Sequence, residues 1–535
     1  MPSQLTPFIG RTNEIAEIIS RLTDPACRLL TLVGPGGIGK TRLSIQAATH
    51  VAAHFAQGVH FVPLQAVQSA NFLCVAISDA LKAPRSGPEE PVVQLLHYLR
   101  DRQILLVLDD FEPLLGADSA TLLTQILTST LAVKLLVTSR EVLNLQEEWL
   151  YPVQGLPFPA PPPQPSPSEG EGVAAYAAVQ LFNERARQVR PNFSLAAEQA
   201  EVIRICQLVE GMPLALELAA SWTKTLSCAV IVAEIQRNLD FLSTSLRNVP
   251  DRQRSVRAVF DHSWQLLSEA ERSAFKRLAV FRGGFQREAA ERVAGASLAT
   301  LSALVDKSLL RGELEGRYQM HELLRQYAAE HLAQSPADVG RMYDRHCAYY
   351  TDFLQERARA VIGARQRQVI RELTAELENI RAAWQWAVAQ RRITDLQKAI
   401  YPYSQICDFQ SRYREAADAF EQAIQSLESA APSPERELTL AVALTFLGWD
   451  YVRLGRLESA QTMFERGQAI FTSLDVPPPQ EFGADPLNGL ALVAHILGNY
   501  AEATRLAEQA LVRNTGRTDK LNLQLTLYTL ANAAF

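Results

Sequence analysis

The sequence has no apolar run approaching the ~18 residues of a membrane-spanning helix. Its first residues, MPSQLTPFIGRTNE, contain no basic segment leading into an apolar stretch, so a secretory leader is not expected. The six cysteines (Cys27, Cys74, Cys206, Cys228, Cys347 and Cys407) lie far apart and form no CxxC pair. That spacing argues against a zinc ribbon and against a disulfide framework, and it suits reduced thiols. Positive charge is not in excess either: the formal net charge is −6 and the pI about 5.9. No global field draws the chain to nucleic acid or to an anionic bilayer, and any DNA contact needs a local patch. These absences point to a cytoplasmic protein with no membrane partner.

What is present is ample core material. Of 535 residues, 47% are hydrophobic and 21% charged, ordinary globular usage. Single cores stop growing near ~250–300 residues, so several domains are expected. Short Leu- and Val-rich runs at 28–33, 59–64, 104–109 and 134–139, with a weaker fifth at 149–153, alternate with helical stretches. This is the pattern of a parallel sheet covered by helices, over residues 1–155. A proline-rich run, 156–172, follows as a linker. Apolar residues then recur at helical spacing, as in Val202, Ile205, Leu208 and Val209, predicting a helical subdomain over 173–250. Helices followed by a turn-like RGELEGR and a further helix predict a winged helix over 251–335.

Residues 336–535 are helical and repetitive. The segments YREAADAFEQAI (413–424), LESAQTMFERGQAI (457–470) and YAEATRLAEQAL (500–511) superimpose. Ala416, Ala460 and Ala503 recur at one position and mark close helix packing. The spacing exceeds the ~34 residues of a tetratricopeptide repeat, so the array is TPR-like with long connections, an α-solenoid offering a surface to protein or small-molecule effectors. The sequence ends in what reads as the first helix of a further repeat, without the cap such an array needs, so the expectation is either a shortened gene or a neighbour that covers that end.

One segment carries specific chemistry. Residues 34–41 read GPGGIGKT, with a strand running in and a helix, marked by Leu43, Ala47, Val51 and Phe55, running out. Glycines let backbone N–H groups crowd around phosphate oxygens, and the helix N-terminus adds partial positive charge. Gly34, Gly36, Gly37, Ile38, Gly39, Lys40, Thr41 and Arg42 are therefore candidate contacts for ATP or ADP. Lys40 reaches the β- and γ-phosphates and Thr41 offers a hydroxyl to Mg²⁺. The strand 104–109 ends in Asp109-Asp110, on the edge of an open α/β sheet where ligands sit. Asp109 is the candidate Mg²⁺ carboxylate. Asp110 is a candidate to orient or deprotonate a water, set against a solvated acidic turn. Arg140, closing Thr138-Ser139-Arg140, is the candidate to meet the γ-phosphate.

In order and spacing these features resemble the STAND signalling ATPases, in particular bacterial regulators related to the NB-ARC group. The resemblance runs over roughly residues 6–335 and rests on FIGR (8–11), GPGGIGKT, LLVLDD (105–110), TSR (138–140), GMPLAL (211–216) and MHE (320–322). It implies that Phe8, Ile9 and Arg11 lie near the adenine and phosphates. It also implies that Pro213 packs against the base and that His321 touches the β-phosphate of ADP. The family's Met-His-Asp reads Met-His-Glu here, so Glu322 brings a longer reach. The activity implied is a nucleotide switch with slow hydrolysis, coupled to effector sensing and to assembly with ATP. Alternatives are a transcription factor binding DNA through the winged helix, an AAA+-like motor, and a scaffold with a structural nucleotide. The DNA reading draws on Arg252, Arg254, Arg257, Arg272, Lys276 and Arg277, diluted by glutamates at 269, 271, 288 and 291.

Overall fold

A computed structural model describes the chain apart from residues 3–5, 65–66, 68–69, 84–89, 116, 160–172, 244–253, 314–315, 363–364, 481–482, 515–522, 525, 529 and 532–535. Most of the proline-rich run, Arg252 and the tip of RGELEGR thus lie outside the described residues. The chain divides into two compact units, one of Met1–Ala279 with Ala296–Gln334, the other of Val280–Gly295 with Ser335–Phe535.

The first unit opens with helix α1 (Thr12–Thr23) and strand β1 (Leu29–Val33), then α2 (Lys40–Val51) and β2 (Val59–Pro63). After α3 (Ala70–Leu81) and α4 (Pro91–Leu99) come β3 (Leu105–Asp109), α5 (Ala117–Ser129), β4 (Lys134–Ser139) and β5 (Glu148–Pro152). All five strands are parallel, in the order β2-β3-β4-β1-β5. Every residue of β1 and β3 is buried, which is why these strands are apolar without alternation. Leu73, Ile77, Leu95, Leu99, Leu123 and Ile126 from α3, α4 and α5 pack on one face, against Leu29, Leu106, Leu108, Leu135 and Val137. Because β4 lies between β1 and β3, the loops leaving these three strands meet at one edge. Leu32 stands beside Thr138 and Val33 beside Ser139.

The same unit continues through α6 (Ala177–Val189), α7 (Gln199–Leu208), α8 (Pro213–Ser221) and α9 (Cys228–Arg237). Pro213 begins α8, where the missing N–H costs nothing. The start of the proline-rich run is packed rather than free: the Leu156 N–H donates to the Gly211 carbonyl at 2.9 Å, and Leu156 is buried. Four further helices follow in this unit, Val256–Gln265, Glu269–Leu278, Leu298–Asp306 and Glu322–Ala333. Their starts are set by side chains. Ser255 caps the first, Ser268 and Glu271 form a reciprocal capping box on the second, and Ser297 caps the third, each satisfying N–H groups that a helix start leaves unpaired. Arg311–Gly312 and Arg317–Gln319 form the antiparallel wing.

In the second unit the helices Pro336–Arg357, Gln366–Ala375 and Leu377–Ala389 lead into three helix pairs. These are Ile393–Phe409 with Tyr413–Glu428, Pro434–Arg453 with Leu457–Leu474, and Pro486–Ile496 with Tyr500–Asn514. The three repeat segments each open the second helix of a pair. Ala416, Ala460 and Ala503 are each fully buried, the close approach that their size allows. Among the described residues, no helix is long and apolar enough to cross a membrane.

Candidate nucleotide site

The glycine loop leaves β1 and turns directly into α2. Gly37 and Gly39 take φ of +79° and +95°, a left-handed backbone that side chains disfavour. Space is equally restrictive. A Cβ on Gly36 would stand 2.3 Å from Val259 Cγ1 and 3.0 Å from Arg140 Cζ, and one on Gly37 would stand 3.0 Å from Leu214 Cβ. The loop is thus enclosed by three pieces of the first unit: the sheet edge, the start of α8 and the helix Val256–Gln265.

Lys40, only 7% exposed, donates from Nζ to the carbonyls of Gly34 (2.7 Å) and Pro35 (3.2 Å). Burial lowers its ammonium to about 8, opposed first by Glu112 and further lowered by Arg140. At the end of β3, Asp109 Oδ1 accepts from the Thr138 hydroxyl at 2.6 Å. Burial, then the neighbouring Asp110, raises its carboxyl to about 6, against the hydroxyls of Thr138 and Thr41. Thr41 and Asp109, the two candidate metal ligands, therefore adjoin. Asp110 has a φ of +59°, and its N–H donates to Thr138 Oγ1 at 3.0 Å. Thr138 thus fixes the turn after β3 from the neighbouring strand.

Arg140 leaves β4 and spans three groups. Its Nε faces Glu112 Oε1 at 3.6 Å, and its Nη1 donates to the Val259 carbonyl at 2.8 Å and to Ser263 Oγ at 3.1 Å. The Ser308 hydroxyl donates to the Arg140 carbonyl at 2.6 Å. Glu112 was not among the residues singled out by sequence. It is 8% exposed, and its Oε1 makes no hydrogen bond among the described residues. The signal was available in the spacing, an acid three residues past Asp109 at the start of a short 3₁₀ turn, Glu112–Leu114, but a turn glutamate ordinarily faces water.

Arg11 has a φ of +63° and donates from Nη2 to the carbonyls of Ile38 (2.7 Å) and Gln154 (2.9 Å). Its Nη1 is buried and has no hydrogen-bond partner among the described residues. Burial lowers its guanidinium, with Glu14 opposing. Pro213 Cγ would lie 3.8 Å from a Cβ on Gly39, and the Leu214 N–H donates to the Gly37 carbonyl at 3.3 Å. Leu214 and Val259 are thus two contacts of the loop that no motif marked. Arg42 turns toward the N-terminal segment: its Nη2 donates to the carbonyls of Thr6 and Pro7, and its guanidinium lies 5.8 Å from the centroid of Phe8. Phe8 and Ile9 are half-buried.

His321 is the N-cap of Glu322–Ala333, its Nδ1 accepting from the Leu323 N–H at 3.2 Å. The ring is buried, and Nε2 has no hydrogen-bond partner of good geometry among the described residues. Burial lowers its pKa, with Glu210 and the Val209 carbonyl opposing and Arg311 reinforcing. Glu210, immediately before GMPLAL, joins these parts. It lies 3.9 Å from His321 Nδ1, accepts from the Glu322 N–H at 2.7 Å and faces Arg311 at 3.5 Å. The Glu322 carboxylate itself is taken up by Arg325, at 2.7 and 2.6 Å.

Comparison with known proteins agrees with this geometry. The family model of the NB-ARC domain matches residues 11–143, and that of a winged helix-turn-helix domain matches residues 267–333. The chain is similar to "Uncharacterized protein Rv0894" of Mycobacterium tuberculosis (strain ATCC 25618 / H37Rv), 33% identical over 343 residues, covering 62% of this chain and 82% of that one. It is also 33% identical over 380 residues to "Putative HTH-type transcriptional regulator Rv0890c" of the same strain, covering 69% of this chain and 40% of the relative. "Regulatory protein AfsR" of Streptomyces griseus is 27% identical over 368 residues, 63% of this chain and 34% of that protein. The chain therefore spans less than half the length of these two regulators. Fold, loop geometry and both matched domains agree, and the chain belongs to the same family as that 343-residue match, one that joins an NB-ARC domain to a winged helix-turn-helix domain.

Proposed function

We propose that the chain is an ATP/ADP switch whose state is read by Arg140. One guanidinium at the edge of the glycine loop is shared between Glu112 on the sheet side and Val259 and Ser263 on the winged-helix side. That sharing carries the reading. Arg140 can hold the helix Val256–Gln265 against the loop, or turn to the oxygens of a γ-phosphate, but one fork does not serve both fully. ADP then favours the closed arrangement and ATP an open one. Moving such a mixture from 1:99 to 99:1 requires roughly 5.5 kcal/mol of differential affinity.

Other residues fit the same nucleotide. The loop N–H groups, Lys40 and the unpartnered Nη1 of Arg11 suit a polyphosphate. The buried Nε2 of His321, without a hydrogen-bond partner of good geometry among the described residues, supports its reading as the contact to the β-phosphate of ADP, with Pro213 against the base. Thr41 and Asp109 suit Mg²⁺, which would supply charge neutralisation between phosphates. Glu112 and Asp110 both sit where a water could be oriented. Glu112, buried beside Lys40 and Arg140, is the stronger candidate for slow hydrolysis. The repeats, TPR-like in pairing, would take an effector that biases the same equilibrium, and ATP-dependent self-assembly is the natural output of an opened form.

DNA binding by the winged helix is less well supported. Leu298–Asp306, second helix of the helix-turn-helix, reads LATLSALVD and has no lysine or arginine. Arg257 is engaged by Asp240 and Glu330, and Lys307 by Glu271. Duplex binding that weakens steeply with salt would favour it instead. The direct test of the switch is mass spectrometry of nucleotide released from the purified protein, run beside small-angle scattering with ATP and ADP. A protein that purifies empty and keeps one scattering profile in both nucleotides is not this switch.

A further inference from the structure

In the second unit a cavity of about 230 Å³ opens between the first helices of the three pairs, Ile393–Phe409, Pro434–Arg453 and Pro486–Ile496. Its walls are mostly apolar, with Phe446 and Trp449 the large faces, and the Trp449 ring is pinned by its Nε1 donating to the Gly483 carbonyl at 2.7 Å. Into this apolar space the chain places Asp450, 4% exposed, whose Oδ2 has no hydrogen-bond partner among the described residues. A buried carboxylate oxygen left without a partner is costly to fold around. Arg453, which also lines the cavity, does not resolve the deficit, since its Nε is turned to Asp408 at 3.4 Å. Asp408 and Arg453 offset one another, which leaves Asp450 without a cationic partner of its own.

We propose that this cavity is a binding site for a small organic cation, an amine or guanidine on an apolar or aromatic body, with Asp450 as its counter-charge. The enclosed volume falls below the ~300–1,000 Å³ usual for drug-sized ligands, which favours a small molecule. Phe446 and Trp449 put aromatic rings in the wall, and such rings attract a cation. Asp408 adds attraction at the partly open rim, and the polar side chains of Ser404 and Gln405, each 7% exposed, line the wall opposite. Burial, then Asp408, raises the Asp450 carboxyl to about 8, with Arg453 opposing. The titratable groups around it among the described residues are Asp408 and Cys407 on Ile393–Phe409, Arg453 on its own helix, and Tyr528, which also lines the cavity. Cys407 is pushed by burial to about 12 and stays neutral, and the wall from Pro486–Ile496 contributes Leu492. A cation entering the cavity therefore displaces a proton from Asp450, and affinity rises with pH.

The role of such a ligand as effector rests on the nucleotide-switch reading, whereas its binding does not. Calorimetry on the full chain without added nucleotide reads the cavity alone; nucleotide content reads the switch. The probe is phenethylamine, compared with N-acetylphenethylamine, its neutral counterpart. The expected result is saturable binding of the amine, at least ~10-fold tighter at pH 8.5 than at pH 6.5, with proton release. Binding should weaken at least tenfold for the acetylated compound and for Asp450→Asn, whose melting temperature should not fall. Should Asp450→Asn fail to fold, Asp408→Asn at the rim should still weaken the amine a few-fold. The proposal is overturned by amide binding as tight as amine binding, by an Asp450→Asn variant that binds the amine unchanged, or by no amine binding at either pH.

Discussion

Arg140 Nη1 donates to the carbonyl of Val259 at 2.8 Å, across 119 positions of sequence, so the residue that follows β4 also holds the helix that covers the glycine loop. A hydrogen bond from a charged donor of this kind is worth ~1.5–3 kcal/mol. Arg140→Ala should lose it and shift the closed-to-open ratio about tenfold or more. In scattering or limited proteolysis the ADP form of the variant should then resemble the ATP form of the parent. A variant whose two nucleotide forms stay as distinct as the parent's removes Arg140 from the latch.

Lys40→Ala tests the loop itself. Nucleotide affinity, by calorimetry, should fall at least ~10-fold, as expected for losing a charge-assisted contact. Melting temperature should hold or rise, because the ammonium is buried at a cost that its two carbonyl acceptors only partly offset. Affinity within threefold of the parent would place the phosphates elsewhere.

Glu112→Gln and Asp110→Asn separate two candidates for handling water. The first should lower single-turnover hydrolysis by ~10²-fold or more, the usual scale of general-base loss, with ATP affinity changed little. Asp110, held by its backbone N–H to Thr138, should matter less. The reverse order of effects would return the role to Asp110.

His346 gives the second unit a pH dependence of defined sign. It is fully buried, its Nε2 lies 3.3 Å from Asn379 Oδ1, and burial depresses its pKa to about 4, with Asn379 opposing. Above the unfolded value near ~6.5 the ring is neutral in both states and costs nothing. As pH falls from there toward 4 the unfolded chain takes up a proton that the native state refuses. Stability should drop by about 1.4 kcal/mol per pH unit across that window, roughly 3 kcal/mol in all. Denaturant titrations of the parent and His346→Gln at pH 7 and 4.5 should show the variant losing less; equal losses would refute this assignment.

Phe464 lies between the glycines of two neighbouring helices. A Cβ on Gly489 would stand 2.3 Å from Phe464 Cζ and one on Gly448 2.6 Å from Cε1, and the ring is fully buried. Helix propensity alone would make Gly489→Ala stabilising by ~1 kcal/mol. Overpacking costs ~1–3 kcal/mol, so net loss of stability is expected, relieved in the Phe464→Leu background. Stabilisation of the single variant would show that the ring can yield.

The sequence alone settled what depends on local chemistry and on periodicity. The five strands lie within a residue or two of the apolar runs; the three inner ones, β1, β3 and β4, are buried on both faces and so must be continuously apolar. The glycine loop was legible because only glycine tolerates its backbone, and the three aligned repeat segments each begin a helix. Tertiary structure decided what depends on meeting across the chain. Strand order set Thr138 beside Asp109 and brought three loops to one edge, since β4 runs between β1 and β3. Burial turned Glu112, an ordinary turn residue by sequence, into a partner of Arg140, and made Asp450 a lone carboxylate in an apolar cavity. Val259 and Leu214 belong to no motif, and they enclose the loop through shape. A motif records the chemistry of neighbours in sequence; the environment of a charge is set by residues that only folding brings near.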